Sequence, residues 1–361
     1  MGRAVPFFSG EPGKGPLANS PAQQWVNQID VPSLRAAGIG AVVAAIWAPP
    51  ALRPGRTAMD ETLGQVDALR AFAVRNPAFV IAQTARDLRR AVPRRVGLLP
   101  SLEGAEAISS VDDVDTLYAA GVRVIGLVHF TDNAVADAED GQFGSALGLF
   151  LDGRAGGLSD LGRAAVRRMI ALGVLVDLAH ASHRSIDDVL AITEEARVPV
   201  IFSHAGSGMA QVRTLNDEQA ARIVRGGGLI GIGVFRSDLL KPVPDSDRWP
   251  GYVEGTCDEV VAHWLHYASL VGANHVVLGS DLSSVIARGA PGGSCPNGMR
   301  HAGDLPHVFA ALERRGIPRS SMDEGGSRFL TLLEVIESRA DPDAQFGARK
   351  RRRPTTAHFR D

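Results

Sequence analysis

The sequence predicts an α/β fold, a (β/α)8 TIM-type barrel whose first strand is absent or degenerate, and three observations carry that prediction. Short continuous apolar runs recur along the chain, as in strands buried on both faces. Helical patterns alternate with them. Five runs lead into a residue able to bind metal or move a proton: Gly97–Leu102 into Glu103, Val124–Val128 into His129, Val174–Ala179 into His180, Pro199–Ser203 into His204 and Val276–Ser280 into Asp281. At the C-terminal ends of barrel strands such groups converge on one rim, where barrels carry their chemistry.

The elements follow in order. The first 25 or so residues are rich in Gly, Pro and Ser and read as loop. A buried strand is expected from Ile39 to Trp47, then a helix around Asp60–Arg75, the strand to Glu103, a helix around Val111–Ala120 and the strand to His129. The polar, Gly-rich connection from Thr131 to Gly157 is too long for a routine loop and reads as functional. Ser159 reads as the N-cap of a helix Asp160–Leu172, with Leu161, Ala165, Met169 and Leu172 on one face and Gly173 ending it. The strand to His180, a helix Ile186–Ala196, the strand to His204 and a helix Asn216–Arg225 come next. Then follow a strand Leu229–Val234, a helix around Cys257–Val271, the strand to Asp281 and helices near Leu305–Arg315 and Ser327–Ser338. That makes seven strands, and the missing one belongs at the N-terminus. Ala4–Phe8 is the only patch there, and Pro6 makes it a poor central strand. The expected division is a loop segment over 1–29, a barrel over 30–340 and a disordered basic tail over 341–361, the tail read from Arg349-Lys350-Arg351-Arg352-Arg353.

Bulk properties narrow the partners. The chain has 361 residues, long for one ordinary domain but normal for a barrel with insertions. A formal net charge of -2 gives no reason to expect nucleic acid, and no run of about 20 apolar residues suggests a membrane span. The N-terminus has no apolar core long enough for a signal peptide, so the chain reads as cytoplasmic as written, and as secreted or periplasmic if its true start lies upstream. Cys257 and Cys295 leave a disulfide open, at a spacing that resembles no zinc or redox motif. A small peptide is the expected partner, and a homodimer is left open.

Glu103, His180 and His204 are candidate metal ligands. Zinc favours imidazole nitrogen and carboxylate oxygen, and a catalytic site keeps a position open. A lone histidine at a strand end is ordinarily a hydrogen-bonded structural residue. Two such histidines, one βα unit apart and each ending an apolar run, favour ligation. His183 is expected in the loop after His180, His263 and His266 on a helix, and His301 and His307 near a substrate rim.

Several stretches together resemble the membrane (renal-type) dipeptidase family of zinc peptidases. They include Leu102-Glu103-Gly104-Ala105, Gly157-Leu158-Ser159-Asp160-Leu161-Gly162, Val176-Asp177-Leu178-Ala179-His180-Ala181-Ser182, Pro199–His204, Arg213 with Asp217, Gly279-Ser280-Asp281 and Gly325-Gly326-Ser327-Arg328-Phe329. The resemblance runs from about Asp30 to Leu333. It implies hydrolysis of dipeptides by metal-activated water, on a barrel of the metallo-hydrolase kind with two zinc ions in the family and one or two here. It further implies that Glu103 bridges the zincs and that His180 and His204 bind one of them. His129 would steady the oxyanion, Arg213 would hold the substrate carboxylate and Asp281 would handle the proton of the attacking water.

The pattern breaks at one place. The family's first strand ends in His-x-Asp, which supplies ligands for the second zinc, and this chain has no histidine before His129. Three expectations follow: the sequence starts late, or the chain is a divergent enzyme working with one metal, or it is a catalytically impaired or inactive dipeptidase-like barrel acting as a binding module.

Overall fold

The computed structural model describes residues 31–48, 55–92, 94–129, 131–139, 156–205, 215–233, 257–281 and 302–350. A parallel sheet curls through the molecule with helices outside it. In chain order the elements are α1 (Val31–Ala36), β1 (Ala41–Ile46), α2 (Ala58–Arg75), β2 (Phe79–Ile81), α3 (Ala85–Ala91), β3 (Val96–Leu102), α4 (Val111–Ala119) and β4 (Val124–Gly126). They continue with α5 (Asp160–Leu172), β5 (Leu175–Asp177), α6 (His183–Ala196), β6 (Ile201–Ala205), α7 (Asp217–Arg225) and β7 (Leu229–Ile232). The last are α8 (Cys257–Val271), β8 (Val276–Leu278), α9 (Leu305–Arg314), α10 (Arg319–Arg339) and α11 (Pro342–Lys350).

All seven expected strands are present, and they pair in the order β1-β3-β4-β5-β6-β7-β8. An eighth, β2, was not expected. Alternate amides of β3 show where it sits. Gly97 N–H bonds Gly40 O and Glu103 N–H bonds Ile46 O on the β1 side, while Val96 N–H bonds Ala78 O on the other. β2 therefore shares with β4 the edge of β3 that faces away from β1, and it does not replace the first strand. Among the described residues β1 pairs with β3 alone and β8 with β7 alone, so the sheet forms a curled, half-barrel wall rather than a closed ring. Burial follows from this: β3 is buried throughout, whereas Val43 and Ala45 of β1 are exposed.

Local chemistry sets the helices. Ser159 caps α5 by accepting from Gly162 N–H at 3.0 Å, and Gly173 ends it at φ 73°, a left-handed conformation that glycine enters without a Cβ penalty. Two helices run beyond expectation. α10 begins at Arg319, because Gly325 is where the helix touches β8: a Cβ there would stand 2.8 Å from Val277 Cγ1. Gly325 is a packing contact rather than a break, and nothing lies within 4 Å of the Cβ position of Gly326. The tail expected to be disordered from 341 opens instead with α11. Ala344 and Ala348, four residues apart, are buried, and Gln345 Nε2 donates to Leu172 O at 3.0 Å. Leu332, Leu333 and Ile336 of α10 join Leu99, Val124, Leu175, Ile201 and Leu229 of the strands in one apolar cluster.

Arg213, His301, Cys295, Asp30 and the patch Ala4–Phe8 lie outside the described residues.

Candidate metal centre

The strands deliver their terminal groups to one point. Glu103 follows β3 directly, His129 and His180 follow β4 and β5 by three residues, and His204 lies in β6. Glu103 Oε1 stands 3.2 Å from His180 Nε2 and 3.6 Å from both His129 Nε2 and His204 Nε2. His180 Nε2 and His204 Nε2 are 2.9 Å apart. The rings meet edge to face, His129 on His180 at 4.4 Å between centroids and His180 on His204 at 4.9 Å, and Trp47 backs His129 at 4.7 Å. The three histidines are buried, and Glu103 keeps partial solvent contact.

Donor atoms of Glu103, His180 and His204 all lie within 4.8 Å of one another. Two imidazole nitrogens at 2.9 Å repel unless a proton or a cation lies between them. Two imidazoles and a carboxylate are the donor set that borderline divalent ions such as zinc prefer. The residues present therefore fit a metal. His129 stands outside this three-residue set, although its Nε2 approaches the same Glu103 oxygen.

The backbone is bent to make this arrangement. His180 has φ 66° and Asp281 φ 52°, so two of the three non-glycine residues with left-handed backbone among the described residues are expected site residues. Such conformations cost about 1–3 kcal/mol each and cluster where function requires them. β6 is bulged between Phe202 and Ala205, and the displaced Ser203 carbonyl presses on two glycines. A Cβ would stand 1.8 Å from Ser203 O at Gly231 and 1.6 Å at Gly279. Asp281 follows Gly279 by two residues on the same rim. Arg213 lies outside the described residues.

The other histidines fall elsewhere. His183 is the first residue of α6 rather than a loop residue, and its Nδ1 lies 2.7 Å from Gln219 Oε1, away from the donor set. His263 is buried in α8, His266 Nε2 lies 3.1 Å from Asp217 Oδ1, and His307 is exposed on α9.

Two carboxylates beside the site were not expected. Asp177 is buried at the end of β5, and burial pushes its carboxyl up to about 6 against hydrogen bonds from Ser203 and Ala179. Its signal was a charge inside the apolar run Val174–Ala179. Glu106 is the second. Neither of its oxygens makes a hydrogen bond of good geometry, and Asn133 and its own backbone amide are the polar groups that face it. Burial raises its carboxyl from 4.5 to about 7, and the charge of Glu103 adds to the push. The folded chain thus holds a proton on Glu106 between about pH 4.5 and 7 that the unfolded chain has released. Stability is lost as pH rises through that window, by about 3 kcal/mol from this group. Glu106→Gln is expected to be more stable than the parent at pH 8 and no more stable at pH 4.5, read by urea unfolding of the metal-free chain. Equal pH slopes in the two proteins would rule out a buried, proton-holding Glu106.

A family model described as membrane dipeptidase (peptidase family M19) matches residues 17–324. An uncharacterised dipeptidase of Schizosaccharomyces pombe is 30% identical over 276 residues, 74% of this chain and 60% of that protein. The dipeptidase tcpJ of Claviceps purpurea is 29% identical over 287 residues, 77% of this chain and 60% of that protein. The chain thus spans about 60% of the length of the curated relatives it matches. Among solved structures, the probable dipeptidase PvdM of Pseudomonas aeruginosa superposes with a TM-score of 0.71 at 22% identity, covering 87% of this chain and 90% of that one. A metallo peptidase of Rhodobacter sphaeroides, liganded with a phosphinate mimic of the dipeptide L-Ala-D-Ala, gives 0.69 at 21% identity, covering 87% and 93%. With the matched model running from before α1 into α10, across every strand that carries a donor, the chain belongs to the membrane dipeptidase family, peptidase family M19.

Proposed function

We propose that this chain is a zinc-dependent dipeptidase that uses one metal ion at Glu103, His180 and His204. The observation that carries the proposal is the convergence of three donors from β3, β5 and β6 within 4.8 Å, in a chain of this family. When bound, a zinc ion supplies a Lewis acid that acidifies water and polarises a carbonyl.

The chain's own residues do the rest. Glu103 brings the negative charge that offsets the cation. His129, buried against Trp47, is positioned to donate to the oxygen that becomes negative when the carbonyl is attacked. Asp281, on the same rim, receives the proton of the attacking water and passes it to the leaving amine. Arg213 grips the C-terminal carboxylate of the dipeptide with its planar guanidinium. The substrate class is a dipeptide, including those with a D-residue on the C-terminal side. The ligand of the Rhodobacter sphaeroides structure supports that choice.

A panel of L,L and L,D dipeptides tests the reading. Hydrolysis is expected with zinc, absent after chelation and restored on reloading. His129→Gln is expected to lower kcat by about 10²–10³ and to change KM little, as for loss of one oxyanion donor. A metal-loaded chain that turns over no dipeptide would leave a binding module in its place. A His129→Gln chain with parental kcat would remove His129 from the reaction.

A further inference from the structure

We propose that Asp137 is a positioning residue for the metal centre. It clamps the two ends of the connection between β4 and α5 together, and so holds the strap that fixes the His180 turn. The proposal rests on the reading that Glu103, His180 and His204 bind a metal.

The three donors are not placed alike. Glu103 is tied to β1 through its backbone N–H on Ile46 O at 2.8 Å, and His204 lies within β6. His180 stands three residues beyond β5 at φ 66°, a conformation that persists only where the surroundings enforce it. A strap from the β4–α5 connection supplies that enforcement. Glu139 N–H donates to His180 O at 2.7 Å, Ser182 N–H donates to Asp137 O at 3.0 Å, and Ala138 bridges Ala181 in antiparallel fashion between them. On the other side of Asp137, Ala136 bridges Leu158. Asp137 anchors the strap. Its side chain is buried, and Oδ2 accepts from Gly156 N–H at 2.7 Å and from Gly157 N–H at 2.9 Å. Its backbone is held as well: the hydroxyl of Ser185, in α6, donates to Asp137 O at 3.0 Å and accepts from Asp137 N–H at 3.3 Å. One residue thus joins the outgoing and returning ends of the connection to the turn that carries a ligand. Partners that orient a ligand without touching the metal typically cost about 10–100-fold in metal affinity when lost.

The clamp can be cut and restored at one atom. Both glycine amides use the same oxygen, so in Asp137→Asn the amide oxygen keeps both bonds. Asp137→Ala loses both and leaves the backbone bond to Ser182 available. Ser185→Ala removes the backbone anchor and leaves the side-chain clamp in place.

The experiment is zinc binding by the full chain, by competition with a chromogenic chelator, for the parent, Asp137→Ala, Asp137→Asn, Ser185→Ala and His180→Ala. Amide hydrogen exchange of the metal-free proteins reads the strap itself. Expected are a loss of zinc affinity of about tenfold or more in Asp137→Ala, near-parental affinity in Asp137→Asn, and a loss of about threefold or more in Ser185→Ala, as for one neutral hydrogen bond. In metal-free Asp137→Ala the Glu139 amide is expected to exchange about tenfold faster than in the parent, with the Glu103 amide changed less. Parental zinc affinity in folded Asp137→Ala would overturn the proposal, whatever its melting temperature. A loss in Asp137→Asn equal to that in Asp137→Ala would overturn the clamp. If Asp137→Ala does not fold, parental affinity in Ser185→Ala overturns the proposal instead. His180→Ala keeps the two readings apart: parental zinc binding there would overturn the metal site itself, whereas loss there with parental binding in Asp137→Ala overturns only the role of Asp137.

Discussion

Glu103→Gln is expected to lose zinc by more than about 100-fold, beyond the loss typical of a partner that does not itself touch the metal. Hydrolysis is expected to fall by about 10³ or more, because the Lewis acid goes with the ion. The reason is geometric. One oxygen of Glu103 stands within 3.6 Å of three imidazole Nε2 atoms, and no other acid lies in the three-donor set. A carboxamide keeps the shape but removes the charge that balances the cation. The fold does not depend on this side chain: Glu103 is held in β3's frame by its backbone N–H on Ile46 O at 2.8 Å, which the change leaves alone. Melting of the metal-free protein is therefore expected to match the parent, and isothermal titration with zinc checks the affinity. A Glu103→Gln chain that binds zinc like the parent would displace the metal centre from this rim.

Gly279→Ala is expected to cost about 1–3 kcal/mol of stability, as for atoms forced into a packed interior, and to weaken zinc binding at least about tenfold, as for a disturbed ligand orientation. The added carbon would stand 1.6 Å from Ser203 O and 3.0 Å from His204 Cα. Backbone, not a side-chain tip, has to yield, and the backbone that yields carries a ligand. Gly64→Ala in α2 is the contrasting case. Nothing lies within 4 Å of its Cβ position, and a helix-interior alanine there is expected to stabilise by up to about 1 kcal/mol. Urea unfolding of the two variants, with zinc titration of each, separates them. Parental stability and zinc affinity in Gly279→Ala would mean that the bulge at Ser203 is free to relax.

The sequence and the structure part company at places that physics explains. The apolar runs named all seven strands of the main path, because a strand buried on both faces leaves an unbroken hydrophobic signature. Their terminal residues named the three donors and His129 for the same reason. β2 did leave a signal that was passed over, the short apolar run Ala78-Phe79-Val80-Ile81-Ala82 between two helices. The start of α10 escaped because Gly325-Gly326 reads locally as a stop, and only contact with Val277 reveals a packing face. The charge run at 349–353 masked the alanine pair that docks α11. Gly231 and Gly279 did carry a signal, since a glycine inside a strand marks close backbone approach. Glu106 carried none: a carboxylate between alanines looks exposed until the loop folds back over Gly104, whose Cβ position lies 2.4 Å from Glu106 Oε2. The count of seven runs was legible, and among the described residues β1 and β8 are each paired on one edge.

The measurement that most directly tests the metal centre is zinc content of the full chain by elemental analysis after equilibrium dialysis, beside a variant in which Glu103, His180 and His204 are all replaced by Ala. One zinc per chain in the parent and none in the triple variant is the expected result. No zinc in the parent, or the same zinc content in both, would contradict it.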